Sequence, residues 1–288
     1  MKAYAPAKIN LGLEIIKKRS DGYHDVDMIM QSINLFDEIE VQTSNSGKIN
    51  VLHEFPVDFE IQKDLAYKAA NMFFEYLKKP CGGLEIKIKK RIPFSAGLAG
   101  GSADGAAVLV MLNRMYGEIF SLDKLMQIGE KIGSDVPFCI LGGTARATDK
   151  GQLLEKIENN LKYFLVLVKP KIDVSTEKAY SMFDNLNCPV REDLDLLQFS
   201  LKTANFNQFS RSLFNRFEDF ILPELINGIK REFLECGARG ALMSGSGPSV
   251  YGVFEDKASA DTCFEIMKKR YEAVFMCQPL DTGCVIEN

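Results

Sequence analysis

No glycine run in this chain carries the lysine of the common phosphate loop. The pattern G-x-x-x-x-G-K-[ST] is absent, and so is the dinucleotide fingerprint G-x-G-x-x-G. No two of the seven cysteines form C-x-x-C, and their number is odd. Neither a zinc ribbon nor a disulfide framework organises the fold, and reduced thiols are the expectation. The first residues, MKAYAPAKIN, hold no apolar core of a signal peptide. The longest clean apolar stretch, YFLVLV (163–168), is too short to cross a bilayer. A net charge of −4 supplies no global positive field for nucleic acid. The basic run Lys87, Lys89, Lys90, Arg91 reads as a solvated strand face. These absences leave a soluble, cytoplasmic protein as the expectation, with no nucleic acid and no membrane partner. Monomer and dimer both stay open.

What is present suits an ordinary globular chain. Its 288 residues, 46% apolar and 26% charged, suffice for one large domain or two of roughly 150 residues. Alternation near the start puts Ile9, Leu11, Leu13 and Ile15 on one side of a strand. Lys8, Asn10, Gly12 and Glu14 fall on the other, so Lys8 and Asn10 share a face. Asp21-Gly22 marks a turn, and a second strand is expected over 26–35. DLAYKAANMFFEYLKK (64–79) reads as a helix capped by Asp64, with Leu65, Ala69, Met72, Phe73 and Tyr76 as its stripe. LEIKIKKRI (84–92) alternates as a strand and stops at Pro93, and Ser121 can cap a helix running to about 132. GSDVPF (133–138) reads as a loop leading into an apolar strand. After Gly151 come a buried strand, a helix starting in STEKAYSMF (175–183), more helices to about 235, two strands around SGSGPS (244–249), and a final helix and strand. Both halves mix strands and helices, which gives α/β or α+β with a division near residue 155.

The stretch IPFSAGLAGGSADGAAVL (92–109) is the strongest local signal. A strand ends at a proline, a loop with Gly97, Gly100 and Gly101 follows, and a helix starts at Gly101 or Ser102. The first N–H groups of a helix lack partners and carry its positive dipole end. Glycines let backbone approach an anion closely, so the segment suits phosphate. A plain tight turn explains glycines equally well. The second glycine turn, taken alone, reads as a hairpin.

Together, APAKINLGLEI (5–15), PFSAGLAGGSADGAA (93–107) and ALMSGSGPSVYGVF (241–254) resemble the three motifs of the GHMP kinases. This is the family of galactokinase, homoserine kinase and mevalonate kinase. The motifs lie in family order and span most of the chain. DGYH (21–24), GSDVPF and VSTEKAY (174–180) resemble the branch that acts on CDP-methylerythritol. Gly105 and Ala103 depart from it, where alanine and serine are usual. The resemblance implies an α+β, two-domain GHMP kinase fold. Residues 1–155 would form the N-terminal ATP-binding domain and 156–288 a ferredoxin-like C-terminal substrate domain, with the active site in the cleft between them.

The resemblance also implies transfer of the γ-phosphoryl of ATP, with Mg²⁺, to a hydroxyl of CDP-methylerythritol. Mevalonate or homoserine as acceptor, and a nucleotide-binding sensor without turnover, are the alternatives. Asp135 is the implied general base and Lys8 its electrostatic partner. Pro93, Phe94, Ser95, Ala96, Gly97, Leu98, Ala99, Gly100, Gly101, Ser102 and Ala103 would hold the ATP phosphates, with Ser102 near the metal. Asn10, Tyr23, His24, Tyr180, Gly245, Ser246 and Gly247 would line the substrate side. Aromatic rings there could stack on a pyrimidine and His24 could bond its edge. Taken singly, Asp135 could equally close a loop on its own backbone and Lys8 be a solvated charge.

Overall fold

The computed structural model describes residues 1–56, 59–186, 190 and 194–287; Cys188 lies outside them. Strand β1 (Lys2–Lys18) and strand β2 (His24–Thr43) pair antiparallel along nearly their full lengths. They turn at Asp21-Gly22, where Gly22 takes φ 87°. The predicted second strand is thus the first half of a longer one. The β1–β2 register shifts between Pro6 and Ala7, between Asn10 and Gly12, and between Ile15 and Lys17. Such bulges re-aim side chains, and the middle one falls at Leu11, just beyond Lys8 and Asn10. Both faces of β1 are covered. Ile9 and Leu11 are fully buried, and Asn10 and Glu14 are at most 1% exposed. The alternation holds through Asn10, but the bulge at Leu11 exchanges the faces: Asn10 pairs with Met30 and Gly12 with Ile29, so Gly12 and Glu14 leave the face of Lys8 and Asn10, and Leu13 joins it. The polar side chains of the strand meet the second half of the chain instead of water. That half comes close at Gly12, where a Cβ would lie 2.2 Å from Leu194 Cδ2.

β3 (Ile49–His53) and β4 (Leu84–Lys89) extend the sheet beyond β2, and β5 (Thr144–Asp149) and β6 (Leu153–Lys156) branch from it. α1 (Leu65–Leu77) and α2 (Gly100–Met115) pack on the sheet. Asp64 caps α1 as expected, its carboxylate accepting from the Ala66 N–H at 2.7 Å. The buried stripe is Ala66, Ala69, Ala70, Phe73 and Phe74. Leu65, Met72 and Tyr76 sit at its margin, because α1 turns its small residues toward α2. That approach also accounts for Gly105, where a Cβ would stand 3.0 Å from the Leu65 carbonyl oxygen.

α3 (Leu122–Glu130) starts at Ser121, whose hydroxyl accepts from Lys124 N. The segment predicted as a loop before a strand holds a short helix, α4 (Val136–Leu141). Pro137 in its first turn has no N–H to offer, where a helix needs none. Six residues are too few for a helical period to show in the sequence. Gly142 and Gly143, both at positive φ, then turn the chain into β5.

The second half builds a four-stranded antiparallel sheet from β7 (Phe164–Lys169), β9 (Gly240–Met243), β10 (Val250–Phe254) and β11 (Ala273–Cys277). Its spatial order is β11-β7-β10-β9. α8 (Pro223–Glu235) precedes β9, and α9 (Lys257–Met267) joins β10 to β11. This is the β-α-β-β-α-β arrangement of a ferredoxin-like unit. Between β7 and α8 run α5 (Thr176–Phe183), α6 (Leu194–Lys202), α7 (Phe206–Ser212) and a two-residue strand, β8 (Phe214–Asn215). β8 and the terminal β12 (Val285–Ile286) both pair with β1, so the first sheet is completed from the second half. The fold is a two-domain α+β structure with β1 at its centre.

Candidate active site

The glycine loop crosses β1 at Lys8. Lys8 N–H donates to the Leu98 carbonyl at 3.1 Å, which pins the loop to the strand. Ser95, Gly97 and Ala99 take φ of 49°, 73° and 56°. Ser95 and Ala99 are not glycines, and non-glycine residues held at positive φ gather at functional sites. Alternating positive and negative φ turns successive N–H groups toward one side, a geometry suited to anions. α2 begins at Gly100, with Ala99 as its N-cap and no side chain blocking the first N–H groups. Helix start and loop thus face one cavity of about 300 Å³, and the loop from Pro93 to Ser102 lines it. Ala103 is buried and its N–H is already spent on the Ala99 carbonyl.

The second glycine turn packs against the first through backbone. Ser244 Oγ donates to the Gly97 carbonyl at 2.9 Å and accepts from Asn10 N at 3.3 Å. A Cβ on Gly97 would stand 2.1 Å from the Ser244 carbonyl oxygen. Asn215 holds the turn from below, donating to the Met243 and Gly245 carbonyls at 2.7 and 2.8 Å. Gly245 and Ser246 line the cavity, and Ser246 shares a hydrogen bond with Thr176 of α5. Gly247 folds back, its N–H donating to the Ser244 carbonyl.

Lys8 and Asp135 meet in this cavity, with Lys8 Nζ 3.7 Å from Asp135 Oδ2. Lys8 is only 5% exposed. Its ammonium donates to Asn10 Oδ1 at 2.7 Å. Asn10 is fully buried: its carbonyl accepts from the Tyr251 hydroxyl at 2.8 Å and its amide meets Met28 Sδ. Asn10 therefore acts on Lys8 from behind rather than facing the cavity. Asp135 stands at the N-cap of α4 but makes no side-chain cap bond. Its carboxylate is partly exposed and not consumed by its own backbone.

A second cavity of about 440 Å³ shares Ser134, Lys150, Thr176 and Tyr180 with the first. His24 and Tyr180 stack there at 4.8 Å between ring centroids, and Phe217 meets Tyr180 edge-on at 5.0 Å. His24 Nε2 is 2.8 Å from Asp184 Oδ1, and Lys18 also pairs with Asp184. Bonds from Lys18, the larger influence, and His24 hold the Asp184 carboxyl below its usual range. Burial pushes the Tyr180 hydroxyl up, so it stays a neutral donor. Tyr23 is 61% exposed at the rim, with Lys150 Nζ 5.2 Å from its ring centroid.

Several residues here carry no signal in the sequence. Lys150 follows β5 as one surface-type lysine among many, yet it borders both cavities. Asp184 and Phe217 arrive from the second half, at positions that no local motif distinguishes; Thr176 lies within VSTEKAY, where nothing singles it out. Lys90, read as part of a solvated face, is buried against the glycine loop. Among the described residues no group of three or more His, Cys, Asp or Glu side chains is placed to hold a metal. No helix among them is long and apolar enough to cross a membrane.

Residues 64–143 match the family model for the GHMP kinases N terminal domain, and residues 192–273 that for the GHMP kinases C terminal region. A 4-diphosphocytidyl-2-C-methyl-D-erythritol kinase of Clostridium botulinum (strain Alaska E43) is 40% identical over 282 residues, covering 97% of this chain and 99% of its own. The protein of the same name from Acetivibrio thermocellus is 43% identical over 278 residues, covering 96% and 98%. A crystal structure described as 4-(cytidine 5'-diphospho)-2C-methyl-D-erythritol kinase superposes with a TM-score of 0.82 at 28% identity, over 97% of this chain and 99% of that one. Homoserine kinase from Cytophaga hutchinsonii shares the fold, with a TM-score of 0.77 at 20% identity over 99% and 96% of the two chains.

Proposed function

The chain belongs to the GHMP kinases, and on that premise we propose that it transfers the γ-phosphoryl of ATP to a hydroxyl of 4-diphosphocytidyl-2-C-methyl-D-erythritol. The product is the 2-phosphate, an intermediate of isoprenoid synthesis by the non-mevalonate route, and the setting is cytoplasmic. One observation carries this reading. The Lys8–Asp135 pair lines the glycine-loop cavity, which shares Ser134, Lys150, Thr176 and Tyr180 with the His24–Tyr180 cavity. A phosphate site, a proton acceptor and an aromatic pocket are thus neighbours, as a nucleotide-linked alcohol and ATP require.

Each part of the cleft answers a need of phosphoryl transfer, which depends on positioning and charge stabilisation. The loop from Pro93 to Ser102 and the start of α2 hold the triphosphate through N–H groups and the helix dipole. No Walker lysine is needed, because Lys8 enters from β1. Its ammonium, fixed by Asn10, stabilises the negative charge on the moving phosphoryl group. Asp135 accepts the proton of the attacking hydroxyl. Lys150, beside both cavities, faces the diphosphate that joins cytidine to erythritol. His24 and Tyr180 hold the pyrimidine, with Tyr23 closing over it from the rim and Gly245 and Ser246 bounding the erythritol.

The donor set fits Mg²⁺, which keeps several waters and binds chiefly to nucleotide phosphates. A dedicated protein cage is therefore not required. The Ser102 hydroxyl, in the first turn of α2 and on the cavity wall, would supply a protein oxygen. When bound, the ion neutralises phosphate charge and aligns the triphosphate.

The test is phosphorus NMR with Mg-ATP and the cytidine-linked alcohol, run beside mevalonate and homoserine. A new phosphomonoester signal with the cytidine compound alone is the expected result. Transfer to a control alcohol instead would overturn the substrate. ATP binding without transfer to any of the three would point to a sensor.

A further inference from the structure

We propose that Arg19 is a positioning residue for the substrate side: it ties the tip of the β1–β2 hairpin to the β5–β6 turn and thereby holds the Lys150 ammonium over Tyr23, toward the substrate diphosphate. The inference deepens the reading of the His24–Tyr180 cavity as the cytidine site and rests on it.

Tyr23 and Lys150 both stand just outside the sheet. The β1–β2 ladder ends at Lys18 and His24, and Tyr23 lies in the turn beyond that rung. The β2–β5 ladder ends at Val26 and Asp149, and Lys150 is the next residue. Strand pairing therefore sets neither position. Yet the two residues border the same cavity, with Lys150 Nζ 5.2 Å from the Tyr23 ring centroid. A cation over an aromatic face is held only weakly at an exposed site, so the two tips need another link.

Arg19 supplies it from both sides. Its backbone N–H donates to the Tyr23 carbonyl at 2.8 Å. Its Nε lies 3.3 Å from both oxygens of Asp21, and Asp21 Oδ1 accepts from the Tyr23 N–H at 3.1 Å. Across the gap, Nη1 donates to Asp25 Oδ1 at 2.6 Å and to Asp149 Oδ1. Asp149 Oδ2 accepts from Gln152 Nε2 at 2.5 Å, and Gln152 Oε1 accepts from the Lys150 N–H at 2.9 Å. The Gly151 N–H closes this turn on the Thr148 carbonyl at 3.0 Å. One guanidinium thus reaches the backbone of Tyr23 through Asp21 and that of Lys150 through Asp149 and Gln152.

The guanidinium also occupies three carboxylates near the cavity. Asp21 lies within electrostatic reach of Lys150. Without Arg19, Asp21 and Asp149 lose their guanidinium, and the Lys150 ammonium is a cation close enough to be drawn to them. An ammonium paired there is turned from the diphosphate. The side chains of Arg19, Asp21, Asp25 and Asp149 are between 22% and 44% exposed. Ion pairs so exposed add little to stability, so the consequence of the cluster is placement and not folding.

The test is steady-state kinetics with Mg-ATP and the cytidine-linked alcohol, for the wild type, Arg19→Met, Lys150→Met and the double variant. Arg19→Met is expected to raise the KM for the alcohol about ten-fold, with kcat, the KM for ATP and the urea midpoint close to wild type. Arg19→Lys keeps the charge without the fork and should recover only part of the loss. Because Arg19 acts through Lys150, the KM of the double variant should be no worse than that of Lys150→Met. A wild-type KM in Arg19→Met or in Lys150→Met would overturn the proposal, and so would single effects that multiply in full. A joint fall in kcat, ATP affinity and stability would make Arg19 merely structural and overturn it too. If Arg19→Met does not fold, Asp149→Asn decides, since asparagine accepts the φ of 59° there and lacks the charge that bridges the gap. Its KM for the alcohol should rise, and an unchanged value sinks the proposal. No transfer by the wild type would end the substrate reading and this inference with it. Normal transfer by the wild type, with any of the contrary outcomes above, ends the inference alone.

Discussion

Lys8 and Asp135 divide the work so that their variants should fail in different ways. Asp135→Asn keeps the shape of the α4 cap and removes the proton acceptor. The expected loss in kcat is roughly a hundred- to ten-thousand-fold, with nucleotide affinity little changed in an equilibrium titration. Lys8→Ala removes a charge that matters most when the phosphoryl group moves. Its kcat should fall about a hundred-fold or more, while the Kd for ATP shifts far less. A Lys8→Ala protein with wild-type kcat would remove Lys8 from the mechanism. Lys8 was legible because its strand alternation put it beside Asn10 and its motif resembled a family. Lys90 was not. Its neighbours in sequence are surface lysines, and only Asp37 and Asp104, distant in the chain, make its burial tolerable.

At the scale of elements, the two glycine turns form one structure. Gly97 pairs a φ of 73° with a backbone contact that leaves no room for a Cβ. Gly97→Ala is expected to lower stability by about 2–4 kcal/mol in urea unfolding, and to weaken ATP binding by parting the turns. An alanine with wild-type stability and affinity would show that they are not coupled. Read alone, each turn was ambiguous between a hairpin or tight corner and a binding loop. What separates the readings is the pairing of Ser244 with Gly97 and Asn10, about 150 and 230 residues away in the chain. No local pattern encodes such a contact. α4 escaped for a different reason: six residues give too little periodicity to mark a helix.

Across the whole molecule, the second half does not merely sit beside the first. We propose the division near residue 155 as the place where the chain passes from one sheet to the other, since β6 ends at Lys156 and β7 begins at Phe164. β8 and β12 then return to pair with β1. The Arg216 guanidinium grips Glu14 of β1 with two bonds of 2.7 Å, both side chains being at most 3% exposed. Arg216→Met leaves the Glu14 carboxylate buried without that cation, and a loss of about 3–5 kcal/mol is expected. Chemical unfolding followed by signals from each half should show the cost as a single shared transition. A variant that loses only the second half's structure would mean the halves are held together by other means.

The sequence by itself determined that β1 is a strand with Lys8 and Asn10 on one face, the caps of α1 and α3, and three motifs that resemble one family. Those features are local: strand period, cap chemistry and glycine placement act over a few residues. Tertiary structure decided which groups share a cavity. It set Asn10 behind Lys8, brought Thr176, Asp184 and Phe217 to the pyrimidine side, and enclosed one ammonium with two carboxyls behind the phosphate loop. Burial is a property of everything packed around a side chain, and charge in a buried place is governed by that surrounding, not by its neighbours along the chain.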